Sequence, residues 1–194
     1  MEAETNQLTA GAPGGRALSR DASADEAVLV LAARRGEPEA CRTLVERHWA
    51  GAWKAALAIT ARTALAEDVV QDAFERAFAA LGRFDETRPF APWLHRIVVN
   101  RALDLVRAER RLVGLDEHTI PAAWIDEAAD QDRPGLEALA RLSPERRAVV
   151  VLRHLLDYSP PEIAQMMELP VGTVNSRLGR ALDELRDAPG PGDG

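Results

Sequence analysis

The sequence predicts an all-α protein, and three observations carry that prediction. Apolar residues recur every three or four positions along most of the chain. Nowhere is the apolar–polar alternation of a half-buried strand sustained, and prolines stand where helices would open or stop, at Pro38, Pro144, Pro160, Pro161 and Pro170. With 194 residues and 46% hydrophobic content, the chain is long enough for one ordinary domain or two small ones with modest cores. The order of segments favours two: small helical domains over 25–111 and 135–187, joined by a flexible acidic linker over 112–134, with disordered tails over 1–24 and 188–194.

Residues 1–24, MEAETNQLTAGAPGGRALSRDASA, are rich in Gly, Ala and Ser and lack periodicity, so they offer too little apolar surface to offset the entropy of ordering. A first amphipathic helix runs from Asp25 to about Arg35. Pro38 opens a second, whose apolar series passes through Cys41, Leu44, Trp49, Trp53, Leu57 and Ile59. A third helix, about Ala64–Leu81, buries Leu65, Val69, Ala73, Phe74, Ala77, Phe78 and Leu81, and shows Glu67, Asp68, Gln71, Asp72 and Glu75 on its other face. The loop GRFDETRPF leads to a fourth helix, about Ala91–Arg111, with Leu94, Ile97, Val98, Leu105 and Val106 inward. Gly114, Pro121, Pro134 and a dense acidic content then break the pattern. Helices resume at about Gly135–Leu142. Ser143 reads as an N-cap, with Pro144 at the first helical position and Glu145 just inside, and a helix from Arg147 to Leu156 follows.

The stretch PPEIAQMMELPVGTVNSRLGRALDEL, residues 160–185, spells a helix, a three-residue break and a second helix. Pro160 and Pro161 suit a helix start, and Glu162 in the first turn suits the positive end of the helix dipole. Ile163, Ala164 and Met167 form the inner face. Pro170 cannot continue that helix and pushes Leu169 toward an extended conformation, so the chain turns at Glu168-Leu169-Pro170. From about Thr173, the inward series Val174, Leu178, Ala181, Leu182 and Leu185 leaves Thr173, Ser176 and Arg180 facing outward, with Asn175 and Arg177 at the flanks. These are donors and acceptors of the kinds that read bases and phosphates, so the segment reads as a helix-turn-helix.

Charge is distributed in blocks. The chain has a net charge of −7, yet the only acids among the arginines 88, 96, 101, 107, 110 and 111 are Asp104 and Glu109, while residues 116–132 hold six acids and no Lys or Arg. Such asymmetry points to separate basic surfaces joined by an acidic connector. Cys41 is the one cysteine, which excludes an internal disulfide, and His48, His95, His118 and His154 show no metal-ligand spacing. There is no Gly-rich phosphate loop and no Ser/His/Asp arrangement, so neither an enzyme nor a cofactor is expected. No basic segment followed by an apolar stretch stands at the N-terminus, and no apolar run approaches 18 residues, so a soluble cytoplasmic protein without membrane insertion is expected.

Three segments in order, EDVVQDAFERAF (67–78), FAPWLHRIVVNRALDLVRAERR (90–111) and LSPERRAVVVLRHLLDYSPPEIAQMMELPVGTVNSRLGRAL (142–182), resemble an extracytoplasmic-function (ECF) sigma factor, the compact promoter-recognition subunit of bacterial RNA polymerase. The resemblance covers roughly residues 25–187 and implies that 25–111 is sigma domain two and 135–187 sigma domain four. The connector is similar to the acidic linker that runs through the polymerase's active cleft in that family. The resemblance further implies that Asp68, Gln71, Asp72 and Glu75 meet the clamp coiled coil of the largest subunit of core RNA polymerase. An acidic, amide-bearing stripe independently suits an Arg-rich protein partner better than DNA.

For promoter DNA, the loop Arg83–Pro92 and the helix after it sit where the family grips and opens the minus-ten element. Arg88, Arg96, Asn100, Arg101, Arg107, Arg110 and Arg111 are the candidates there, with the arginines acting on phosphates. Phe90 and Trp93 read as core residues rather than stacking platforms, and Asn100 and Asp104, at i and i+4, equally suit a helix-stabilising pair. Thr173, Asn175, Ser176, Arg177 and Arg180 match the minus-thirty-five reader. Two departures stand out: Asn175 replaces a frequent Arg or Lys, and Gly179 a larger residue. An anti-sigma factor is the implied regulator, since the chain offers no sensory domain. The alternative is a two-domain helix-turn-helix regulator that does not need core polymerase, which would leave the Arg88–Arg111 segment without a role.

Overall fold

The computed structural model describes residues 20–113 and 133–187, and among these every regular element is helical. Four helices form the first unit: α1 (Arg20–Arg34), α2 (Pro38–Thr60), α3 (Thr63–Ala80) and α4 (Phe90–Val113). Four more form the second: α5 (Arg133–Ala140), α6 (Pro144–Val150), α7 (Pro160–Met167) and α8 (Val171–Asp187). One wide π turn, Val151–Leu155, extends α6. The expected C-terminal tail and most of the expected linker and N-terminal tail lie outside the described residues.

α2 is the central helix of the first unit and packs on α1, α3 and α4. Its second half, Ala52 and Ala55–Thr60, is buried on every side, and the run of alanines lets neighbouring helices approach closely from several directions. The helix ends at Ala61 in the left-handed conformation, with φ 59°, where its N–H returns to the Leu57 carbonyl. α3 buries Ala66, Val69, Val70, Ala73, Phe74 and Ala77, while α4 buries Leu94, Val98, Val99, Ala102, Leu103 and Val106. In the second unit α6 packs on α8, and α7 on α8, around Leu142, Ala148, Val149, Leu152, Ile163, Val174 and Ala181.

Several expectations are corrected. α1 begins at Arg20, so residues 20–24, expected in the tail, are helical. α8 begins at Val171 rather than Thr173, because the Pro170 carbonyl already accepts the Thr173 and Val174 N–H groups. Leu182, expected inward, is 40% exposed. Met166, not Met167, is the buried methionine of α7. Ser143 holds the N-cap position of α6, but its side chain makes no capping hydrogen bond there.

The two units also pack together. α2 touches α5, α6 and the π turn, and α4 touches α6 and α7, so that one buried apolar cluster runs through both. Separate apolar faces on the two units had been legible in the sequence; their contact with each other had not.

Candidate polymerase and nucleic-acid interfaces

On α3, Asp68, Gln71 and Glu75 are exposed and Asp72 is half-buried, at spacings that place them along one side of the helix. Asp72 accepts from Arg76 Nε one turn on, at 3.0 Å, and lies 2.5 Å from Arg101 Nε of α4. Asp72 thus ties α3 to α4. Arg101, a minus-ten candidate by sequence, turns its guanidinium to that carboxylate.

The loop ahead of α4 is held from beneath. Phe84 and Phe90 are buried, and the Trp93 ring lies 4.7 Å and 5.6 Å from theirs, as expected for core aromatics, although Trp93 itself is only half-buried. Asp85 accepts from the Thr87 N–H at 3.1 Å and from its hydroxyl at 2.6 Å, a local turn that fixes the loop tip. Glu26 of α1, buried, accepts from the Phe90 N–H at 3.2 Å and shares a 2.8 Å hydrogen bond with His48. Burial pushes its carboxyl up, but the hydrogen bonds from His48 and Phe90 outweigh that and hold it below the usual range. A carboxylate is therefore fixed at the positive end of α4.

Of the minus-ten candidates, Arg88, Asn100 and Arg111 are exposed. Arg96 pairs with Glu168 of the second unit, and Arg107 donates to Glu145 at 2.7 Å. Arg110 is 6% exposed in the free protein, with its guanidinium inside the packed molecule. Between the loop and α7 runs a groove of about 630 Å³, lined by Arg83, Arg88, Trp93 and Arg96 on one side and Gln165 and Met166 on the other.

In the helix-turn-helix, the Ser159 N–H donates to Glu162 at 2.7 Å, the sequence-local cap of α7. Glu168 closes that helix at φ 55°, and the Leu169 N–H returns to the Ala164 carbonyl at 2.9 Å. α8 turns Val174, Leu178 and Ala181 inward. Asn175, Ser176 and Arg180 are exposed and Thr173 and Arg177 half-buried, so five polar side chains lie on the outer side of its first three turns.

Residues 44–112 match the sigma-70 region 2 family and residues 136–185 the sigma-70 region 4 family. The chain is 32% identical to the RNA polymerase sigma factor CnrH of Cupriavidus metallidurans over 81% of this chain and 91% of the relative. It is 36% identical to the ECF sigma factor SigL of Mycobacterium tuberculosis over 81% and 93%. The chain belongs to the ECF sigma factors of RNA polymerase. The solved structure of CnrH in complex with the cytosolic domain of CnrY, 32% identical, superposes with a TM-score of 0.65 over 83% of this sigma factor and 94% of that chain. The sigma factor RpoE of Bartonella quintana, solved with the anti-sigma factor NepR, shares the fold at 22% identity, with a TM-score of 0.61 over 75% and 94%. The region 2 match holds α3 and α4, and the region 4 match ends with the helix-turn-helix.

The sigma factor also has polar residues at the seam that sequence reasoning missed. Arg147 is fully buried and donates to the carbonyls of Leu139 (2.7 Å), Ala140 (3.0 Å), Leu142 (2.9 Å) and, across the seam, Ile59 (2.6 Å). Burial, with the nearby Arg110 charge, pushes it down to about 9, so it remains charged at neutral pH. His95 and Tyr158 share a 2.7 Å hydrogen bond across the same seam. Burial pushes the imidazole down to about 4 and the phenol up. Nothing in the sequence marks Arg147 as buried, because an arginine between Arg146 and Ala148 on a short helix reads as surface.

Proposed function

We propose that this sigma factor distributes its work over three faces. The α3 stripe of Asp68, Gln71, Asp72 and Glu75 binds the clamp coiled coil of the largest polymerase subunit. The loop Arg83–Pro92 and α4 hold the minus-ten element as it opens, with Arg88, Arg96, Arg107 and Arg111 on phosphates and Asn100 beside the bases. α8 reads the minus-thirty-five element through Thr173, Asn175, Ser176, Arg177 and Arg180. The protein acts in the cytoplasm by binding rather than by catalysis, and an anti-sigma factor controls it, as the CnrH–CnrY and RpoE–NepR complexes suggest for relatives of the same fold.

One observation supports this reading above the others: acidic and amide side chains occupy the outer side of α3, while the cation-bearing surfaces lie on α4 and α8. A basic protein partner and a polyanion can then be engaged together without competing for one surface. The test is competition for core polymerase. Asp68→Arg with Glu75→Arg should weaken core binding at least tenfold with helical content unchanged; Asp72 is spared because it also anchors Arg101. Undiminished competition by the double variant would remove α3 from the interface.

A further inference from the structure

The loop given above to the minus-ten element stands on two aromatic feet. Phe84 and Phe90 are buried, and residues 85–89 between them are all exposed. Hydrogen bonds inside this arch, Asp85 with Thr87 and the Arg88 N–H to the Asp85 carbonyl at 3.0 Å, fix its curl but not its place on the protein. An arch without a further hold would have to be ordered by the DNA itself, which weakens binding. The hold comes from α1, a helix that lies ahead of the region 2 match, which begins at residue 44.

α1 grips the arch twice. At its tip, Glu86 accepts from Arg34 Nη1 at 3.0 Å. At its far foot, the Phe90 N–H, one of the free donors that open α4, donates to Glu26 Oε2 at 3.2 Å. Glu26 and Arg34 stand about 12 Å apart along α1, which also packs on the turn Leu81–Arg83 that leads into the arch.

Glu26 is the more informative of the two. It shares the buried side of α1 with Val30 and Ala33, at i, i+4 and i+7, where an apolar side chain would pack without the desolvation of a carboxylate. Both its oxygens are engaged, Oε2 by Phe90 and Oε1 by His48 Nε2 at 2.8 Å, and the His48 ring lies 5.2 Å from that of Phe90. His48, with its side chain 12% exposed, therefore fixes the carboxylate against the foot of the arch. A charge kept in the core at that point serves placement better than it serves packing.

We infer that α1 is the strut of minus-ten recognition, with Glu26 and Arg34 as positioning residues that set the arch 85–89 at its foot and its tip before DNA arrives. The inference rests on the assignment of the loop Arg83–Pro92 to the minus-ten element. The ion pair at the tip is exposed and weak alone, so the buried Glu26 contact carries the larger share.

The test uses holoenzyme assembled from core polymerase and the full-length sigma factor, on a template forked at the promoter that gives the strongest run-off transcript. This fork is duplex through the minus-thirty-five element and single-stranded across the minus-ten. A second fork carries abasic sites through that single strand, so its phosphates remain and its bases are gone. The ratio of the two affinities reads base capture and cancels contacts to phosphate. The wild type should prefer the intact fork by roughly tenfold or more. Glu26→Leu keeps the side-chain volume and removes the acceptor; it should lower the ratio about fivefold, with competition for core unchanged within about twofold. Glu26→Gln keeps an acceptor for the Phe90 N–H and should stay within about twofold of the wild type. Arg34→Glu should lower the ratio about threefold, and Glu86→Arg added to it should restore the ratio. A wild-type ratio in Glu26→Leu, an equal loss in Glu26→Gln, or a parallel loss of core competition overturns the role of Glu26. A charge swap no better than Arg34→Glu alone overturns that of Arg34. The assignment of the loop fails separately, if wild-type holoenzyme shows no preference for the intact fork.

Discussion

At the scale of single residues, Gly179 and His95 make opposite points about what a side chain contributes. Gly179 lies in the exposed face of α8, and a Cβ built there meets nothing within 4 Å. Its helical backbone is open to any residue, so the glycine brings only entropy to be lost on folding. Gly179→Ala should raise the stability of sigma domain four by about 0.5–1 kcal/mol, read as a higher urea midpoint. A lower urea midpoint would contradict the open space around that position. His95 is neutral because it is buried. Its ordinary value of 6.5 in the unfolded chain falls to about 4 in the folded one, so the unfolded state takes up the proton first as the pH drops. Stability should therefore decline between about pH 6.5 and pH 4, by on the order of 3 kcal/mol in all. Melting temperatures across that range should show the decline in the wild type and a flatter profile in His95→Gln. Glu26, held below its ordinary 4.5, contributes stability that is full above that value and lost only in more acid solution.

At the scale of elements, helix ends organise this protein. Arg147 caps the carbonyl ends of α2 and α5 at once, where the negative pole of each helix dipole favours a cation. Arg147→Met should cost about 3–5 kcal/mol, because it leaves several buried carbonyls without donors, and Arg147→Lys should recover part of that by keeping the charge without the fork. Urea denaturation of the three proteins measures this, and a wild-type midpoint in the methionine variant would contradict it. The same scale shows what sequence makes legible. The prolines at 38, 144, 160, 161 and 170 and the periodic apolar residues between them mark helix starts and faces, which is why α2, α3, α4 and the helix-turn-helix fall close to their expected ranges. The early start of α1 was hidden by a polar, Ser-bearing stretch, DASAD, that has no apolar period to reveal it. The π turn at Val151–Leu155 was hidden because its composition, VLRHL, matches an ordinary helical turn.

Across the whole molecule, the candidate interfaces were legible in kind and only partly in arrangement. The acidic α3 stripe and the outer face of α8 follow from helical spacing alone, since each is the complement of a well-marked apolar face. The fates of Arg96, Arg101, Arg107 and Arg110 do not. Each reads as a free cation on one helix, yet Arg96, Arg101 and Arg107 meet a carboxylate from another element and Arg110 is covered over. Such contacts depend on how helices cross, and that is set by packing between residues distant in sequence. The central claim, that this chain makes core polymerase promoter-specific through separate polymerase and DNA faces, is tested most directly by run-off transcription on genomic fragments with core enzyme. Wild-type protein should yield discrete transcripts that core alone does not make. The same reaction should lose them with Asp68→Arg/Glu75→Arg and with Arg177→Ala/Arg180→Ala, the first through lost core binding and the second with core binding intact. Transcripts that persist unchanged in both variants, or that never rise above those of core alone, would contradict it.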